Sequence, residues 1–307
     1  MIPFPRRILL GALAAMLIAA APAPKQKPVP QTLFPTADAA VAALIAATEA
    51  NDTSALAAIL GPGSEKLISS GDAVADQNGR ERFAAAFNAK HSLVQNDKGE
   101  TILVIGENDY PTPIPLVQKN GQWRFDSAEG AQQVIDRRIG KNEIGAIRVL
   151  LAFVEAQKEF FAKNGAYAQH LVSHEGEQDG LYWEATNGAP DSPLAALAAQ
   201  ADEEGYPVEI TKGRHIPYQG YNFRILKMQG RYAPGGAENY IVNGKMTGGF
   251  ALIGWPASYG ASGIMTFQVS QDGIVFQKDL GPHTEEIARK MTAFDPDLSW
   301  ARIDITN

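Results

Sequence analysis

The stretch from Asn142 to Lys163, NEIGAIRVLLAFVEAQKEFFAK, constrains the fold most, because it reads as a long helix with an apolar stripe that needs a partner. Ile144, Ile147, Leu151, Val154 and Phe161 recur at helical spacing. Asn164-Gly165 ends the helix, as glycine does in the left-handed conformation. Downstream the period changes to two, with strands expected at 221–228 (YNFRILKM), 249–256 (GFALIGWP) and in the hairpin 264–281 (IMTFQVSQDGIVFQKDLG). A two-residue turn at Asp272-Gly273 would set Val269 opposite Phe276. Met265, Phe267, Phe276 and Leu280 then share a face that holds no proton donor or acceptor. The hairpin is therefore scaffold, with Phe267, Val269 and Phe276 expected against Ile147, Leu151 and Val154 of the helix. Gln268 and Ser270 fall on the other face.

The first half has the same mixed character. Thr36 caps a helix with Val41, Leu44 and Ile45 on one face, Thr53 caps a second through Leu60, and a third helix is expected around Arg80 to Lys90. Strands at 101–106 and 114–126 follow, the latter turning at Asn120-Gly121. The fold class expected is α+β in two domains, since 307 residues exceed the roughly 100–150 of a common single domain. The domain plan is a signal peptide at 1–20, a disordered linker at 21–33, a first α+β domain at 34–128, a connector at 129–141 and a second α+β domain at 142–307.

The signal peptide reading rests on Arg6-Arg7, the apolar run Ile8 to Ala20 and the small residues after it. That run is short of the roughly 20 residues that span a bilayer, so cleavage near Ala21, a periplasmic location and no membrane attachment afterwards are expected. A net charge of −7 argues against a nucleic-acid partner. The chain has no cysteine, which excludes disulfides, thiol catalysis and thiolate metal sites.

Three resemblances follow from particular stretches. The helices at 34–90 with strands closing on GQWRFD resemble the nuclear-transport-factor-like cone fold, which implies a ligand pocket and, in some members, a His–Asp pair. Here that region holds the single histidine His91. The helix ending NGAYA, with GYNFRIL, GGFALIGWP and FQVSQDGIVFQK, resembles the globular domains of type IV pilins and pseudopilins, which implies a sheet packed on the long helix. FPTADAAVAAL, RRIGKNEIGAI, GGFALIGWPASYGASGIMTFQVSQDGIVFQKDLG and IARKMTAFDPD resemble an exported bacterial family known as domain of unknown function 2950, which implies a location and an architecture and supplies no catalytic residue to carry over.

The densest polar stretch is HLVSHEGEQDG. It holds His170, His174, Glu175, Glu177 and Asp179, and the two histidines, four residues apart, could ligate a metal with a carboxylate, Glu175 the first candidate, completing the set, although the zinc-protease pattern wants Glu where Leu171 stands. His283 beside Glu285 and Glu286 suggests acid–base chemistry, against the plainer reading of a helix start rich in carboxylates. Ser262 in GASG lacks the strand-to-helix context of a nucleophile elbow. Asp295 and Asp297 offer too few oxygens for calcium. Arg137 and Arg138 would grip an anion or hold the domain junction. Tyr182, Trp183, Trp255 and Tyr259 are the candidates for an interaction surface. The reading favoured is a non-catalytic binding or assembly module with an envelope protein partner and no cofactor. Its rivals are a ligand carrier or enzyme with a pocket in 34–128, and a metal-dependent hydrolase at His170 and His174.

Overall fold

The computed structural model describes residues 30–184, 191–207 and 216–304. The expected signal peptide and cleavage site lie outside the described residues. Residues 30–33, assigned above to a linker, are part of the fold. The Gln31 amide donates to the carbonyls of Ile59, Leu60 and Phe125 at 3.0, 3.2 and 2.8 Å.

Helices α1 (Ala37–Glu49), α2 (Thr53–Leu60), α3 (Glu65–Ile68) and α4 (Ala73–Ala89) come first. Thr36 caps α1 as expected, but α2 is capped by Asp52, one residue earlier than Thr53. α4 starts seven residues before Arg80, because the Asp72 carboxylate accepts from Ala75 N–H at 3.0 Å and fixes its first turn. Strands β1 (His91–Gln95), β2 (Thr101–Ile105), β3 (Tyr110–Pro111), β4 (Leu116–Lys119) and β5 (Gln122–Phe125) form an antiparallel sheet ordered β1-β2-β4-β5, with β3 also on β2. Leu44, Ile45, Leu56, Leu103, Leu116 and Phe125 lie in the core between helices and sheet.

The long helix α5 runs from Ala131 to Asn164, so the expected connector is its first three turns. Its 34 residues span about 50 Å. Gly130 starts it at φ 93°, where a Cβ would lie 2.0 Å from the Pro113 carbonyl oxygen, so glycine is required there. The buried face also differs from the expected stripe. Ala146, Leu150, Phe153, Val154, Gln157 and Phe160 are buried, while Ile144 and Phe161 are exposed.

Strands β6 (His170–Val172) and β7 (Gly180–Tyr182) form a short parallel pair, and α6 (Ala195–Glu203) follows. Next come β8 (Tyr221–Leu226), the two-residue strands β9 (Met228–Gln229), β10 (Glu238–Asn239), β11 (Ile241–Val242) and β12 (Lys245–Met246), then β13 (Ala251–Pro256), β14 (Met265–Ser270) and β15 (Val275–Asp279). Helix α7 (Thr284–Lys290) and β16 (Ala301–Arg302) are the last elements among the described residues. The main antiparallel sheet has the order β16-β15-β14-β13-β8. Together with α5 it makes this half α+β.

The hairpin register differs from the two-residue turn by one. Val269 pairs with Val275, and Phe276 pairs with Gln268. A slip of one residue exchanges faces, so Phe276 leaves the α5 side. Phe223, Gly254, Phe267, Val269 and Val275 share the α5 face, where Leu150 would contact a Cβ on Gly254 at 3.3 Å. Arg224, Trp255, Thr266, Gln268 and Phe276 share the other. That second face is covered as well. Phe276 meets Phe294 edge-on at 5.9 Å, and Arg224 donates to the carbonyls of Ala288 and Arg289 at the end of α7.

The two halves are tied by Asp72, which is 1% exposed. Its carboxylate accepts from Tyr206 O–H at 2.8 Å and from Gly220 N–H at 2.7 Å, besides capping α4. Burial, and then the Asp72 charge, push the Tyr206 phenol well above its ordinary value.

Because both sheet faces are buried, two hairpin substitutions should be costly. Phe267→Ala should destabilise by about 3–5 kcal/mol through the cavity it leaves. Gln268→Ala removes the acceptor of Asp295 N–H and should cost about 1–3 kcal/mol. Denaturant melts of the full chain check both, and an unchanged midpoint for Gln268→Ala would contradict the covered second face.

Candidate functional site

β8 is hydrogen-bonded to β13 on one side, and no strand pairs with its other side among the described residues. Tyr221 exchanges both backbone hydrogen bonds with Tyr218, at 2.8 and 3.0 Å, on that outer side. Backbone groups alternate along an antiparallel strand. The N–H and C=O of Phe223 and Ile225 therefore point the same way. They open into a cleft of about 670 Å³. Val149 and Phe153 of α5, Leu194 and Leu197 at α6, and Leu171 of β6 line it, with Tyr182 and Tyr218 at its edges. The lining is mostly apolar because α5 and α6 both turn aliphatic side chains toward the sheet edge.

His170 lies on the rim of this cleft and belongs to a second feature. The loop from Ser173 to Asp179 returns the chain so that β7 runs parallel to β6, with His170 level with Gly180. The loop is closed by Glu177 N–H to His174 carbonyl at 3.0 Å and Gly180 N–H to Ser173 Oγ at 3.0 Å. Asp179 Oδ1 accepts from His174 backbone N–H at 2.9 Å, which aims Oδ2 at the rings. Oδ2 lies 2.5 Å from His174 Nδ1 and 4.0 Å from His170 Nε2, and the two rings meet edge-on at 4.7 Å.

Electrostatics separates the three groups. The hydrogen bond to Asp179 raises the His174 pKa above its ordinary value. Burial lowers that of His170, against the pull of Asp179. Burial works to raise the Asp179 pKa, but the His174 backbone and ring bonds hold it below the usual carboxylate range. Glu175, proposed from sequence as the third ligand, is exposed and outside the cluster. Its place is taken by Asp179, because the loop rather than a helix sets the geometry.

The remaining candidates are scattered. Trp255 is buried at 1% exposure beside Arg224, so it offers no docking surface. Tyr259 donates to Asp279 at 3.1 Å and is half-buried, and Trp183 packs on the C-terminal core. Glu285 and Glu286 pair with Arg289 and Lys290 at 2.9 and 2.6 Å one turn on, away from any cleft chemistry. Ser262 Oγ donates to Ser258 carbonyl at 3.2 Å and ties its own loop. Asp295 accepts from Tyr232 N–H and Asp297 from Ser299 N–H, without converging. Arg137 lies over the Tyr110 ring, and Arg138 donates to the Lys66 and Leu67 carbonyls, joining α5 to α3. His91 stacks on Phe87 at 3.8 Å with Nδ1 on the Phe87 carbonyl.

The sequence of residues 31–303 matches a family described as Protein of unknown function (DUF2950). No curated protein and no solved structure matches the chain. No helix among the described residues is long and apolar enough to cross a membrane.

The His174–Asp179 bond should steady this loop over a defined pH window. On the basic side the stabilisation is complete below the ordinary histidine value of about 6.5 and lost as pH rises through the raised His174 pKa. On the acid side it is lost as pH falls through the lowered Asp179 pKa. A ring-proton NMR titration should find His174 releasing its proton above pH 6.5 and His170 below it. Asp179→Asn should bring His174 back toward 6.5, and an unmoved His174 would show that the carboxylate does not hold it.

Proposed function

The chain belongs to the DUF2950 family of proteins of unknown function, and we propose that it is an exported binding module that takes an extended apolar segment of an envelope partner into the cleft beside β8. One observation carries this reading: among the described residues no strand pairs with the outer side of β8, where the backbone groups of Phe223 and Ile225 face an apolar cleft. An extended segment that pairs with such an edge gains main-chain hydrogen bonds, and alternate side chains find apolar walls. Shielding by α6 and β6 fits this use, since an edge left fully open invites indiscriminate pairing. Export and a periplasmic location are supported by the charged start and short apolar run of the sequence. The packing of α5 on the β8-to-β15 meander supports a pilin-like arrangement for this half.

The rival reading, a small-ligand carrier or enzyme using residues 34–128, has less support. The cleft beside β8 is lined by residues from 149 onward. Strand addition and small-molecule binding also leave different marks. Pairing on the edge slows amide exchange at Phe223 and Ile225, whereas a small apolar ligand leaves those amides open.

Two measurements follow. A photo-crosslinking residue at Leu171 or Leu197 should capture a protein in intact cells, while the same residue at Glu285 should not. Adducts of small molecules alone at these positions would overturn the strand-addition reading. Mass spectrometry of the native protein should find a mature chain beginning near Ala21, and a chain retaining Met1 in the membrane fraction would overturn export with cleavage.

A further inference from the structure

We propose that His170, His174 and Asp179 bind a divalent transition-metal ion of the zinc class at the rim of the cleft. One ligand atom from each lies within 4.8 Å of the others. Ligands at about 2.0–2.1 Å around a tetrahedral zinc ion are themselves about 3.3–3.5 Å apart, so small ring rotations complete the geometry. The carboxylate is already aimed. Its Oδ1 is held by the His174 backbone N–H, and Oδ2 is the atom both imidazoles approach.

The plainer account is a His174–Asp179 ion pair that staples the loop. That account uses two of the three residues. It gives no reason for His170, on β6 rather than in the loop, to direct its Nε2 toward the same oxygen with its ring against His174. Two imidazoles and a carboxylate suit zinc, nickel, copper or ferrous iron better than calcium or magnesium, which prefer oxygen alone. The side chains remain 42%, 63% and 33% exposed, so a bound ion would keep open positions toward solvent. This inference goes beyond the cleft reading and does not rest on it.

The test is titration of the full chain with zinc chloride, read by calorimetry and by histidine ring NMR. One zinc per chain should bind, shifting the His170 and His174 rings and leaving His91 and His283 unmoved. His174→Ala and Asp179→Asn should each weaken binding by about tenfold or more. Glu175→Gln should not change it. Affinity should fall as pH is lowered, because both imidazoles must be unprotonated to ligate. Circular dichroism confirms that each variant is folded. No ring shift at millimolar zinc, or binding that survives the combined His170→Ala and His174→Ala variant, would overturn the proposal.

Discussion

A single helix, α5, supplies a wall to both hydrophobic cores, and the surrounding elements are placed by the way its buried face is used along its length. Ala131 belongs to the first core. Ile135 and Ile139 continue the buried row past α3, where Arg138 grips the Lys66 and Leu67 carbonyls of that short helix. Midway, Gly145 and Ala146 keep the helix surface low, so that the Gln219 side chain reaches to 2.5 Å of where a Gly145 Cβ would stand. Glu143 accepts from Ile264 and Met265 N–H at 3.0 Å each and so fixes where β14 begins. Beyond Leu150 the helix is buried in the second core, and Gln157, fully enclosed, exchanges two hydrogen bonds of 2.8 Å with the Ala168 backbone.

Much of this was readable from residue patterns, and the departures have physical causes. The helix and the strands of the main sheet follow from apolar period, which depends on burial alone. The phase of the α5 stripe does not, because Leu150-Leu151 and Phe160-Phe161 are apolar neighbours on adjoining faces. Packing chose the face that includes Gly145 and Ala146, where small side chains let the sheet approach. The hairpin register departs from the expected one because residues 271–274 connect the strands, with Gly273 N–H donating to the Ser270 carbonyl, and a shift of one residue exchanges every face. Asp179 stood among three carboxylates of its stretch, and no helical spacing rule singles it out, since a hydrogen-bonded loop brings it back to His174. Trp255 looked like a surface aromatic only while the second sheet face was thought open.

The cleft and the histidine cluster share one construction. The β6-to-β7 loop places an imidazole at the rim of a groove whose wall is a strand edge, so a charged, titratable feature adjoins an apolar one. The pieces come from distant parts of the chain: α5, the segment around α6, and β8. No local motif announces such a site, which is why the sequence pointed to the histidines yet gave no sign of the groove.

Asp72 has a consequence for how the molecule comes apart. Its buried carboxylate satisfies the first turn of α4 on one side and the buried Tyr206 and Gly220 on the other. Opening either half strands donors in the other or exposes a phenol and an amide that have lost their acceptor. With α5 also common to both cores, the thermodynamic boundary between the halves is weaker than the architectural one. The described chain is then one cooperative unit, and exchange of the amides in the first turn of α4 reports on global unfolding rather than on a local opening.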